Sequence, residues 1–390
     1  MLCTTGNADC ECGYTVNKTD SSTHQVFTDL LEANFLTSHV IGDNTDWKVQ
    51  KYYTQPKPKF GRNCTAENVV SNPVLDNSTL DGGGKLGGTP GLQIWVRGGT
   101  MENNLVPSGE IRSTRNDMLY GSFRVAARLT PVNGTCSAIF TVSFVPFFVI
   151  FMSLRTDSMK YFNDSQEIDI ELLSRQYSSN APVVSSPLNL VLHSMSALEA
   201  GYQTPNTSTY GQPRIPVALT DMFHEYRFDW TPGLVSFYLD GSWIWDLEDS
   251  NVPSMGSALL LSHWSNGAPG WSQGPPLEDA VMTISYVKAY FNSSDPQRHQ
   301  DFQTRCSDPT APGAMCMIPH QEGAPDALGG NGSSGAVSGG RRTYFFSAQS
   351  NHTVNQTVFT GKNTASSQVC ARSRILPTVI WIAVLYLVFL

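Results

Sequence analysis

The sequence is poor in charge. Only 15% of its 390 residues are Asp, Glu, Lys or Arg, against roughly 25% in an ordinary soluble chain. The 25 basic residues are outnumbered by 33 acidic ones and form no basic run, which excludes nucleic acid as a partner. No cysteines have the C-x-x-C spacing and no suitably placed histidine pair accompanies them, so a structural zinc site is not expected. The glycine-rich stretch from Asp81 to Gly88 lacks the Gly-Lys-Ser/Thr ending of a phosphate loop. A Gly-x-Ser-x-Gly nucleophile elbow is also missing. Apolar runs long enough to approach a membrane span are absent except for the last sixteen residues, which excludes a polytopic membrane protein. The opening, Met1 to Tyr14, has neither the basic n-region nor the apolar h-region of a signal peptide.

What is present points outside the cytoplasm. Cys3, Cys10, Cys12, Cys64, Cys136, Cys306, Cys316 and Cys370 are scattered along the chain, as in disulfide-bonded proteins of oxidising compartments. Asn17, Asn63, Asn77, Asn133, Asn163, Asn206, Asn292, Asn331, Asn351 and Asn355 each begin an N-x-S/T triplet, the acceptor pattern of secreted surface loops. The missing signal peptide conflicts with this, and we read it as a start codon placed too late. The C-terminal run Ile375 to Leu390 is apolar, follows Arg372 and Arg374, and is preceded by the small residues Asn363-Thr364-Ala365. That order reads as a GPI-attachment signal with Asn363 as the attachment site and 364–390 as the removed propeptide. A single membrane span is the alternative. The protein is thus expected at the cell surface or in the cell wall, held to the plasma membrane.

With 40% hydrophobic and 11% aromatic residues the chain can bury a sizeable core. From Val26 to about Asn292 short apolar runs alternate with turn residues, the pattern of an all-β domain. Leu234-Val235-Ser236-Phe237-Tyr238-Leu239 followed by Asp240-Gly241 is a strand running into a strong hairpin turn. Phe27 to Leu36 fits a short helix or a strand. We divide the chain into a Cys-rich segment at 1–25, a domain at 26–300, an end stapled by Cys306 and Cys316 at 301–320, and a stalk at 321–363. The stalk is rich in Gly, Ser, Asn and Thr and cannot build a core.

The most informative segment is Gln166-Glu167-Ile168-Asp169-Ile170-Glu171-Leu172-Leu173. As a strand it presents Glu167, Asp169 and Glu171 on one face and Ile168, Ile170 and Leu172 on the other. Retaining glycosidases use two carboxyl groups about 5–5.5 Å apart. Residues four apart on a strand have Cα atoms roughly 13 Å apart, a gap that two long Glu side chains leaning together largely close. Asp169 between them separates the two proton affinities. Clustered carboxylates also suit calcium, but the EF-hand pattern is absent. Trp264 and Trp271 lie in a Gly/Pro-rich stretch, where an indole is more useful for stacking on sugar rings than for filling a core. Trp95 in a strand, followed by Arg97-Gly98-Gly99, is a further substrate-binding candidate. Trp230, Trp243 and Trp245 fall in apolar strands and are expected in the core. His193 is a lone strand histidine that lines the core or the cleft.

These segments in this order resemble glycoside hydrolase family 16: GLQIWVRGG, TRNDMLYGSFRVAARL, QEIDIELLS, LVLHS, FHEYRFDWTPGLVSFYLDG and LSHWSNGAPGWSQGPP, across roughly residues 26–292. CECGY and the closing cysteines look like the secreted fungal members. The resemblance implies a jelly-roll sandwich of two antiparallel sheets, as in concanavalin A-like glucanases. It implies Glu167 as nucleophile, Asp169 as helper and Glu171 as acid/base. The expected activity is a retaining endo-β-glucanase cleaving β-1,3- or mixed β-1,3/1,4-glucan in cell-wall polysaccharide. The alternatives are a transglycosylase of the same family and a non-catalytic, lectin-like glucan binder. Trp95, Arg97, His193, Trp264 and Trp271 are the expected substrate-binding residues. No cofactor and no metal are expected, and the chain is expected to act as a monomer. A single residue separates Asp169 from Glu171, so the strand lacks the bulge associated with β-1,3-glucanases and the linkage stays open.

One departure is the apolar stretch 141–160, TVSFVPFFVIFMSLRTDSMK, which has no counterpart in the family pattern. Exposed, Phe144, Phe147, Phe148, Val149, Ile150 and Phe151 would be an aggregation hazard. Two origins stay open: an intron retained in the reading frame, and an aromatic lip beside the cleft.

Overall fold

A computed structural model describes residues 9–16, 25–37, 41, 46–57, 59–76, 83–99, 101–144, 162–177, 186–194, 207–249, 252–325 and 345–349. Two antiparallel sheets pack face to face. The front sheet runs in the order Trp47–Val49, Leu105–Ser113, Ser257–Trp264, Cys136–Phe144, Phe162–Leu173, Asn189–His193 and Tyr210–Gly211. The back sheet runs Ser242–Glu248, Leu234–Leu239, His224–Thr231, Met118–Arg128 and Ala280–Ser293. The long last strand then divides its edge: Tyr286 to Phe291 pair with Asp29–Asn34, and Ala280 to Ile284 pair with Gly91–Val96. A bridge from Met118 to Ser257 joins the two sheets at a corner. The region read as helix or strand forms the strands Val26–Phe27 and Asp29–Asn34.

The period of two along each strand builds the core. Ile139, Ile168, Ile170, Leu172, Leu190, Leu192, Leu259 and Leu261 face inward from the front sheet. Phe123, Val125, Phe228, Trp230, Val235, Phe237 and Ile284 meet them from the back. Each such side chain contributes about 1.5–3 kcal/mol by leaving water. The stretch 141–160 therefore does not begin an insertion at its first residue. Thr141, Val142 and Ser143 are buried within the Cys136–Phe144 strand and pair with Leu259, Ala258 and Ser257. Phe144 pairs with Phe162 at the start of the next strand; 145–161 lie outside the described residues.

Of the three tryptophans expected in the core, only Trp230 is there, with its indole N–H donating to the Pro253 carbonyl at 2.8 Å. Trp243 is 59% exposed and Trp245 39%. Ser242–Glu248 is an edge strand, and a bulge opposite Phe237 and Tyr238 turns its side chains out of the inward register. Not all acceptor asparagines lie in loops: Asn63 sits in the Gly61–Cys64 strand. Asn292 sits in the Ala280–Ser293 strand, where its side chain accepts from the Thr28 amide at 3.1 Å.

The outer face of the back sheet is covered by the two ends of the described chain. Tyr14, Tyr290 and Phe346 form an aromatic cluster with ring centroids 5.0–6.0 Å apart. Ser347 donates its backbone N–H and hydroxyl to Glu32, and Arg124 donates to the Pro319 carbonyl at 2.7 Å. The stretch expected to be stalk from 321 onward thus includes packed residues: Gln321, Phe345 and Phe346 are buried. A strand face left with a row of arginine, lysine and tyrosine side chains has to be covered or solvated, and this segment covers it. Disulfides Cys10–Cys316 and Cys12–Cys306 hold the two ends together, so Cys306 and Cys316 staple the N-terminal segment and not each other. Asp29, fully buried, receives Arg115 at 3.1 Å and Arg298 at 2.8 Å, tying the helix Pro296–Arg305 to the same edge.

Taken singly, each bridge closes a loop of about three hundred residues, for which chain entropy gives roughly 5–6 kcal/mol; with one bridge in place, the other closes only the short segments between neighbouring cysteines and adds less. Reduction, or the double change Cys10→Ser and Cys12→Ser, is therefore expected to lower the thermal midpoint by several degrees or more. Differential scanning calorimetry with and without reductant measures this; an unchanged midpoint would show that the covering segment is held without them.

Candidate active site

The Phe162–Leu173 strand lies in the middle of the front sheet and sends its apolar residues into the core, so Glu167, Asp169 and Glu171 stand on the outer face. Their cross-strand neighbours form three rows. Glu167 lies between Val142 and His193, Asp169 between Phe140 and Val191, and Glu171 between Ala138 and Asn189. Asp169, in the middle row, is only 4% exposed, while the two glutamates are half-buried.

Burial and the flanking charges of Glu167 and Glu171 push the Asp169 carboxyl well above the usual carboxylate range, and it is hydrogen-bonded to Glu167. The shift favours a proton shared within the Glu167–Asp169 pair. His193 places Nε2 3.3 Å from Asp169 Oδ2. Burial lowers this imidazole to about 4, so at neutral pH the ring is uncharged and the contact is not an ion pair. Side-chain atoms of Glu167, Asp169 and His193 lie within 4.8 Å of one another. Their donor set, two carboxylates and an imidazole, is one that could hold a metal ion.

Glu171 sits in different surroundings. Burial raises its carboxyl, while the Trp271 indole, the Cys136 thiol and the charge of Arg62 pull it back. Cys136 Sγ is 3.4 Å from Glu171 Oε1. The Glu171 carbonyl accepts from Asn189 Nδ2 at 3.0 Å, and Asn189 Oδ1 accepts from Tyr210 at 3.0 Å and Gln212 at 2.7 Å. Arg175, just past the strand, donates to the carbonyls of Trp271 at 2.7 Å and Gly270 at 2.8 Å. The loop carrying Trp271 is thereby tied to the carboxylate strand. Further along the face, the Arg62 guanidinium lies 4.7 Å from the Trp264 ring centre, and Tyr52 donates to buried Glu110 at 2.9 Å.

The structure therefore brings together Glu167, Asp169, Glu171, His193 and Trp271, with Trp264 two strands away on the same face. It does not bring Trp95 or Arg97 there. Leu92 and Ile94 occupy the core, so Trp95 points from the opposite face of its strand, where it pairs with Val281. Arg97 stacks over Trp95 at 4.5 Å and pairs with Asp279 at 2.8 Å. Asn363 lies outside the described residues. Cys64 and Cys136 are free thiols, against the expectation that such cysteines are bridged. Cys64 adjoins Ser108 and Cys136 adjoins Trp264, so two strands separate them, roughly 14 Å at the usual strand spacing and too far for a bond. Arg62, Cys136, Asn189, Tyr210 and Glu110 are site residues that sequence reading missed. The one signal for any of them was the charged–apolar alternation Gly109-Glu110-Ile111-Arg112.

The sequence profile of Glycosyl hydrolases family 16 matches residues 92–288, half of the chain and the part that carries this face. The chain belongs to that family. A beta-glucanase of Rhodothermus marinus is 26% identical over 184 residues, covering 44% of this chain and 57% of that protein. A beta-glucanase of Paenibacillus polymyxa is 25% identical over 171 residues, covering 43% and 58%. The chain thus spans a little over half the length of the curated relatives it matches. Among solved structures, a prokaryotic beta-1,3-1,4-glucanase (lichenase) from a mouse hindgut metagenome superposes with a TM-score of 0.47 at 15% identity, covering 67% of this chain and 98% of that one. The apo Crh5 transglycosylase gives 0.43 at 16% identity, covering 69% and 85%.

His193 is expected to stay neutral down to about pH 4. An unfolded histidine protonates near 6.5, so this group costs the fold stability as pH falls from 6.5 towards 4. Nitrogen-15 chemical shifts of the imidazole report it directly; protonation near pH 6.5 would mean that the ring is not buried against Asp169.

Proposed function

We propose that the protein is a retaining endo-β-glucanase that hydrolyses β-1,3- or mixed β-1,3/1,4-glucan. The observation that carries the reading is the single strand face on which three carboxylates occupy unlike surroundings. One shares its neighbour's proton, and the others stand at either end with different partners. Two beta-glucanases among the relatives support the substrate class.

In the first half of the reaction a Glu167 oxygen forms a bond to the anomeric carbon. The bond to the glycosidic oxygen breaks, its electron pair stays on that oxygen, and the proton of Glu171 goes there. In the second half water attacks the same carbon, Glu171 takes the water's proton, and Glu167 leaves with its electron pair. Asp169 holds the hydrogen bond to Glu167 in the resting state, so its proton is in place to stabilise the departing carboxylate. Trp271 offers an indole next to Glu171, where a sugar ring stacks during proton transfer. The same intermediate yields to a sugar hydroxyl in place of water, and product analysis distinguishes transfer from hydrolysis. The two disulfides support work in an oxidising, extracellular compartment on cell-wall glucan. The small-residue and apolar C-terminal pattern supports a GPI anchor at Asn363.

Product release from laminarin, mixed-linkage β-glucan and chitin, with the anomer followed by proton NMR, tests the reading. Activity on a glucan with initial release of the β-anomer is expected, and Glu167→Gln should reduce it at least about a thousandfold. Glucan binding without turnover, or initial α-anomer, would overturn it. Because burial raises Glu171, its acid form persists into mildly acidic solution, and kcat/KM should fall as pH rises through its ionisation. Flat activity from about pH 4 to 8 would contradict this assignment.

A further inference from the structure

In the proposed reaction, on which this inference rests, Glu171 must first give up a proton and then take one. Burial alone works against the second task, because desolvation disfavours the ionised form that must accept the water's proton. Something beside Glu171 has to favour its ionised form, and that something must not titrate with it.

We propose that Cys136 and Arg62 are positioning residues for the acid/base Glu171, keeping its carboxylate ionised and oriented through the second half of the reaction. Cys136 is fully buried in the neighbouring strand, with Sγ 3.4 Å from Glu171 Oε1. Burial and the adjacent Glu171 push the thiol well above its usual range, so it keeps its proton and donates. A buried cysteine ordinarily serves as a small hydrophobe. This one shares the outward-facing register of Ala138, Phe140 and Val142 and aims its sulfur at a carboxylate. Arg62 comes from the separate strand Gly61–Cys64 and places its guanidinium 4.7 Å from the ring centre of Trp264, the residue paired with Cys136. Its charge acts on Glu171, Cys136, Tyr52 and Glu110 together. Among the other groups facing Glu171, the Trp271 indole acts in the same direction and most strongly, from a loop, while Asp169 is itself raised and Tyr210 has its hydroxyl on Asn189.

The test is the pH profile of kcat/KM in variants that separate the donor from its volume. Cys136→Val fills the space without a donor, Cys136→Ala removes both, and Cys136→Ser keeps a donor. The basic limb should move upward in Val and Ala, seen as a roughly threefold or larger gain in the fraction of maximal activity retained well above the optimum. Ser should stay close to the parent. Arg62→Gln should shift the limb the same way and Arg62→Lys should restore most of it. With a dinitrophenyl oligoglucoside, whose leaving group needs no acid, kcat at low pH should fall in Val, because the second half then limits. Superimposable limbs for Val, Ala, Ser and parent would overturn the proposal. So would a uniform fall that tracks the loss of thermal stability. Azide distinguishes failure of the underlying reading. Glu171→Ala should be rescued with formation of the β-glycosyl azide. Without rescue, and with the basic limb still in place, Glu171 is not the acid/base and the positioning role falls with it.

Discussion

Three carboxylates on one strand face, within reach of each other and largely out of water, are mutually repulsive unless a proton is shared among them. That constraint organises the site. Asp169, the most buried of the three and flanked by Glu167 and Glu171, has its carboxyl pushed well above the usual range, which favours a proton shared with Glu167. His193 is kept neutral by the same burial and adds no charge to the balance. Glu171 meets donors and a cation that Asp169 does not. The chemistry of the face follows from these differences in surroundings, since the three groups themselves are nearly alike.

Such a face has to be held still. The carboxylate strand is flanked on both sides, by Cys136–Phe144 and Asn189–His193, and its alternate residues Ile168, Ile170 and Leu172 are locked into the core. Asn189 fixes the backbone at Glu171, and Arg175 ties in the loop bearing Trp271. Behind the sandwich, the two ends of the described chain cover the back sheet's outer face and are bolted together by two disulfides. The cover shields a row of charged side chains that would otherwise have to be solvated, as the buried Lys288 beneath Phe345 illustrates.

The strand, its two faces and the ordering of three carboxylates were legible in Gln166 to Leu173, because a period of two needs only local sequence. That Trp264 and Trp271 stand outside the core, on the carboxylate side, was legible from their Gly/Pro-rich setting. Trp95 was misplaced because being on a strand says nothing about which face of which sheet that strand presents. Trp243 and Trp245 were misplaced because an edge and a bulge are properties of pairing, not of composition. Cys136 and Arg62 stayed hidden for the same reason: both reach Glu171 through register between segments distant in sequence. Cys136 also looked like one more disulfide candidate among eight cysteines.

The central claim is that Glu167 carries the sugar covalently. Incubation with a 2-deoxy-2-fluoro glucan oligosaccharide bearing a good leaving group, followed by proteolysis and mass spectrometry, tests this most directly. The account predicts one added glycosyl group, located at Glu167 and absent after Glu167→Gln. A label on Glu171 or on a residue outside this strand face, or turnover with no trapped adduct and an inverted product, would contradict it.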